Sequence, residues 1–200
     1  MLPARIISRL FNPLFITLFY MIIVLNINSQ MITTVPDKAR WMLLGMIMLT
    51  SCIIPGIIIL FFGQFFRKAL KFSPAESKVA VLIIAAVFNY LSYYMLSRLQ
   101  LSPVYTLFLL GITTLTGICI LITIFWNISI YMTGMGALAG ALSGITMIFN
   151  LKLQGIILLI IAFSGMVGYA RLAMDKHRPA EIYSGFLLGF VGMIIHFYYV

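Results

Sequence analysis

Seven apolar runs, each close to the length needed to cross a bilayer, limit what this chain can become. They cover 11–27, 41–66, 79–96, 104–126, 128–148, 155–174 and 182–200. An α-helix rises about 1.5 Å per residue, so roughly 20 apolar residues cross the ~30 Å hydrocarbon core. Lipid offers no partner to a backbone N–H or C=O, and a helix satisfies both within the segment. The expected fold is therefore all-α, a polytopic transmembrane helical bundle of about six to seven spans. Short connections leave room for one integral membrane domain over 1–200 and no separate soluble one. The balance of 63% hydrophobic to 8% charged residues agrees, since soluble domains do not reach it.

The net charge of +9 would point to nucleic acid in a soluble protein. Here the cations sit at the ends of apolar runs, where they meet lipid phosphates and set orientation. The expected partners are membrane lipids, with no nucleic acid. Cys52 and Cys119 lie inside apolar runs and read as small buried residues. Two histidines and four acids spread along the chain give no metal cluster, so no metal or other cofactor is expected. Arg5 and Arg9 precede the first run as they would in a secretory signal, but no small-x-small cleavage site follows, so a retained span is expected. Pro55-Gly56 should kink the second run. Gly136, Gly140 and Gly144, and later Gly185, Gly189 and Gly192, form small-residue faces for close helix contact. His196, beside Phe197-Tyr198-Tyr199, reads as a packing or interfacial histidine.

One polar island breaks the pattern. From Arg171 to Glu181, six ionisable groups fall in eleven residues, including two of the four acids. A polar loop between two spans accounts for some of this. The spacing also suits a phosphate site. Arg171 would be a fixed cation for an oxyanion. His177 would be a nucleophile or proton carrier. Glu181 would fix the imidazole tautomer and stabilise its charged form. Pro179 suits a helix start, with Glu181 in the first turn.

Ala170-Arg171, five residues, His177, three residues, Glu181 resembles the third signature of the type 2 phosphatidic acid phosphatase family, related in fold to the vanadium haloperoxidases. That signature reads Ser-Arg, His and Asp at the same spacing. The run Pro179-Ala-Glu181-Ile-Tyr-Ser-Gly185 is similar to the segment that follows the family's histidine. The resemblance implies that His177 attacks phosphorus while Glu181 orients it and Arg171 holds phosphate oxygens. Lys71 and Lys78 stand where the first signature has its cations, without its proline. The second signature, Pro-Ser-Gly-His, has two candidate registers. Ser129-Ile130-Tyr131 puts Ser129 on the phosphate and Tyr131 in place of the leaving-group acid. Thr133-Gly134-Met135 is the other. The first is preferred, because the glycine ladder follows at the expected distance. Neither contains the histidine.

Two spans separate each of these islands from the next, so all three are expected on one face of the membrane. With the N-terminus, that face carries nine of the thirteen Lys and Arg, candidate phosphate ligands included, which places it in the cytoplasm. Setting aside Lys71, Lys78 and Arg171 narrows the margin to six against four. Three functions stay open. One is a membrane phosphatase, in a bacterial inner membrane, acting on a lipid phosphate or diphosphate through a phospho-histidine. Another is a non-catalytic relative that binds an anionic lipid or a partner helix. The last is a small carrier or channel.

Overall fold

The computed structural model describes residues 12–27, 35–61, 74–99 and 101–199. Seven helices make up the described chain, and no strand occurs among these residues. They are α1 (Pro13–Leu25), α2, α3 (Pro74–Ser97), α4 (Pro103–Phe125), α5 (Ile130–Phe149), α6 (Gln154–Ala173) and α7 (Pro179–Tyr199). α2 runs through Asp37–Ile47, a π-helical stretch Met48–Ile53 and Ile54–Phe61 without a break. Six of the seven, α2 to α7, are long and apolar enough to cross a membrane. α1, with 13 residues, is about 20 Å long and falls short of that span.

The helices group into two compact units, Thr17–Phe125 and Met1–Ile16 with Trp126–Val200. In the Thr17–Phe125 unit, α3 and α4 form the most extensive pair. Tyr20 stacks on Phe108 at 3.8 Å between ring centroids and donates its hydroxyl to the Val104 carbonyl at 2.8 Å. Small hydroxyls tie the remaining helices. Thr17 Oγ1 donates to Asn89 Oδ1 at 3.2 Å, and Ser92 Oγ lies 2.8 Å from Thr50 Oγ1 and 3.0 Å from Ser51 Oγ. The interruption expected from Pro55 takes the form of the π stretch just before it. Proline lacks the N–H and crowds the preceding turn, and the helix widens so that Ile54 N–H reaches back to the Leu49 carbonyl.

In the other unit, α5 is the central helix, with residues 132–142 buried without a gap. The two glycine faces meet here. A Cβ on Gly136 or Gly140 would collide with the backbone of Phe186 and Phe190 on α7. A Cβ on Gly189 would collide with the backbone at Thr133, and one on Gly185 would sit 2.8 Å from the Ser129 carbonyl. Each helix thus presses glycine against the other's backbone, a contact that any side chain would pry apart. This contact sets the N-terminal end of α5 against the first turns of α7. α5 ends at Asn150, whose φ of 51° is the left-handed stop that asparagine tolerates.

Candidate active site

The site is assembled from three backbone devices in this second unit. The first ends α6. Asp175 adopts φ 49°, its N–H bonds the Leu172 carbonyl at 2.9 Å, and Lys176 N–H bonds the Arg171 carbonyl at 3.2 Å. This pair of bonds is a Schellman turn, with aspartate where glycine is usual. It reverses the chain so that His177, six residues after Arg171, returns beside it.

The second device starts α7. Pro179 occupies the first helical position, where its missing N–H costs nothing. Glu181, two residues on, turns its carboxylate back and accepts the Arg178 N–H on Oε2 at 3.2 Å. That is half of a capping box, and it fixes the carboxylate over the helix start.

The third is the non-helical stretch 127–129 that leads into α5, a tight turn at Asn127 closed by Ile128 N–H on the Trp126 carbonyl at 2.8 Å, then an extended Ser129. Ser129 N–H donates to the Glu181 carbonyl at 3.2 Å, which pins this stretch to α7. The Asn127 carbonyl then lies 3.1 Å from His177 Nδ1, and Asn127 Nδ2 donates weakly to Glu181 Oε2 at 3.5 Å.

His177 sits where the three converge. Its Nδ1 is 2.9 Å from Glu181 Oε2, and its Nε2 is 3.2 Å from an Arg171 terminal nitrogen. Chemistry assigns the proton. A guanidinium only donates, so Nε2 must accept, and a backbone carbonyl only accepts, so Nδ1 must carry the hydrogen. The imidazole is neutral, its Nδ1–H shared between Glu181 and Asn127, and its Nε2 lone pair faces a cation. Glu181 Oε2 receives donors from His177, Arg178 and Asn127, which suits an ionised carboxylate. All three side chains are buried, at 8% exposure for Arg171, 8% for His177 and 9% for Glu181. Burial strengthens the polar contacts and makes any lost partner costly.

The remaining sequence candidates divide. Ser129 is the N-cap of α5, but its hydroxyl does not cap; Oγ is fully buried and has no hydrogen-bond partner among the described residues. Tyr131, in the first turn, lies with its ring face against Arg171, whose guanidinium carbon is 4.1 Å from the ring centroid. Thr133, Gly134 and Met135 are buried inside α5, where Gly134 packs on Ile16. Lys78 lies on α3 in the Thr17–Phe125 unit, and Lys71 falls outside the described residues. Asn127 was not among the sequence-based site residues. Its part is played largely by a main-chain carbonyl, which any residue would supply and no side-chain pattern reveals. Among the described residues, no group of three or more His, Cys, Asp or Glu could hold a metal ion.

Comparison of the chain with protein families, with curated proteins and with solved structures finds no match.

Proposed function

We propose that this integral membrane protein is a phosphatase-like enzyme of the type 2 phosphatidic acid phosphatase kind, acting on a lipid phosphate or diphosphate. One observation carries the reading: a neutral imidazole with Nδ1–H held by a buried carboxylate and its Nε2 lone pair beside a buried arginine. In the proposed reaction Nε2 attacks phosphorus, the N–P bond forms, and the P–O bond to the leaving group breaks. Water then attacks the phospho-histidine, the N–P bond breaks, and phosphate leaves while a proton passes to solvent. Arg171 would exchange its contact with Nε2 for phosphoryl oxygens, as a cation suited to an oxyanion. Glu181 would stabilise the positive charge that the ring gains on attack. Ser129 Oγ, buried and without a partner among the described residues, would be available to the same oxyanion.

Among the described residues no second imidazole is hydrogen-bonded to His177 or Glu181, where the family would lead one to expect a leaving-group acid nearby. General acid catalysis contributes typically ~10²–10⁴-fold. A phosphoanhydride departs without that help more readily than an alkoxide, so the reading favours a lipid diphosphate over a monoester. Counted with the first run as a span, the cation excess on the site's side favours a cytoplasmic-facing site in a bacterial inner membrane; with α1 too short to span, Arg5 and Arg9 change sides and the margin falls to seven against six. The missing acid equally favours a second reading, a relative that binds a lipid phosphate without turning it over.

Inorganic phosphate release separates the two. Purified protein in detergent–lipid micelles would be given phosphatidic acid, phosphatidylglycerol phosphate and undecaprenyl diphosphate, with His177→Ala alongside. Release that disappears in the variant supports the phosphatase. Lipid binding by folded protein without any release leaves only the binding protein.

A further inference from the structure

We infer that Tyr131 works through its aromatic ring, as a platform that holds the Arg171 guanidinium beside His177 Nε2, and not through its hydroxyl as a proton donor. The functional part of this inference rests on the phosphatase reading; the positioning part does not.

The geometry gives the ring its role. The Arg171 guanidinium carbon lies 4.1 Å from the Tyr131 ring centroid, well inside the range of a cation–π contact. The same guanidinium reaches Nε2 at 3.2 Å. A leaving-group acid has to meet the oxygen that departs in line with the attack, on the far side of phosphorus from Nε2. Tyr131 is engaged instead with the cation on the attacking side.

The choice of an aromatic partner also has a chemical logic. A carboxylate would occupy the in-plane N–H donors of Arg171 and cancel its charge. A ring holds the guanidinium by its face without cancelling its charge. Glu181, the buried acid of the site, is bonded to the opposite nitrogen of the imidazole. Tyr131 itself packs against the buried cluster of Met132, Val167 and Ile182. Arg171 projects from the last turn of α6 on a stem with many rotamers, and a fixed ring selects one of them.

The test contrasts Tyr131→Phe, which keeps the ring, with Tyr131→Leu, which keeps only bulk. Both are read in the full chain in detergent micelles. The first readout is the ring-current displacement of the Arg171 Nε–H signal in arginine-labelled protein, assigned by its loss in Arg171→Lys. That assignment is needed because Arg98 also lies over a ring, Tyr94, at 4.9 Å. The second readout is binding of inorganic phosphate. The displaced signal should persist in Tyr131→Phe and vanish in Tyr131→Leu. Phosphate affinity should stay within about twofold in the first and fall about tenfold in the second. An undisplaced signal in the unmodified protein, or equal loss of affinity in both variants, overturns the inference. If the signal follows the expected pattern and phosphate does not bind the unmodified protein, the platform stands and the phosphatase reading falls.

Discussion

Both units bury polar side chains among helices that lipid surrounds, and they do so differently. In the Thr17–Phe125 unit the groups are neutral, and their bonds close on one another: Thr17 with Asn89, Ser92 with Thr50 and Ser51. Hydroxyls of this kind join helices and ask for no ligand. In the unit containing α5 to α7 the buried polar groups include three ionisable ones, Arg171, His177 and Glu181, whose contacts converge on one imidazole. One nitrogen of His177 is fully engaged, while the other meets a cation that only donates. Beside them Ser129 Oγ is buried without a partner among the described residues. A closed neutral network holds helices together; the charged one, on the proposed reading, receives an anion.

Substitutions can break or sharpen this contrast. The largest effect belongs to His177→Ala, expected to lower phosphate release by at least ~10³-fold in the micelle assay. Glu181→Gln follows, with turnover down about 10²–10³-fold, because a neutral amide no longer stabilises the charged ring. Its melting temperature should move little, since the amide oxygen can still accept the Arg178 N–H. Next comes Gly189→Leu, where the new side chain meets backbone of α5 that no rotamer avoids. It should cost about 3 kcal/mol or more in denaturant unfolding and take the site down with the helix contact. Ser92→Ala, in the neutral network, should cost about 1 kcal/mol and leave phosphate release unchanged. If it abolished release, the contrast between the two units would be wrong. The smallest effect is that of Gly165→Ala, a glycine with nothing within 4 Å of its added Cβ, which should stabilise the helix by about 0.5–1 kcal/mol.

Much of this was legible beforehand, for identifiable reasons. Membrane spans announce themselves because lipid penalises any interruption of an apolar run. The order of the helices followed from that, and spacing of three to four residues marked the two glycine faces as contact surfaces; that they meet each other did not show in the sequence. The trio Arg171, His177 and Glu181 was legible because its members are close in sequence, so a turn and a helix start suffice to join them. What escaped was carried by the backbone or by distance along the chain. The Asn127 carbonyl has no residue signature. The ring of Tyr131 beneath Arg171 depends on how α5 docks on α6. Thr50 and Ser92 are 42 positions apart, with nothing in either segment to pair them. Pro55 signalled an interruption but not that a π stretch would absorb it. The first run was read as a span, yet its described helix is too short for one.

Glu181 Oε2 takes the Arg178 N–H that starts the last helix and the His177 N–H that aims the imidazole. One atom therefore couples the start of a helix to the aim of a ring. A substitution that removes this oxygen would loosen both at once, so the first turn of α7 and the imidazole stand or fall together.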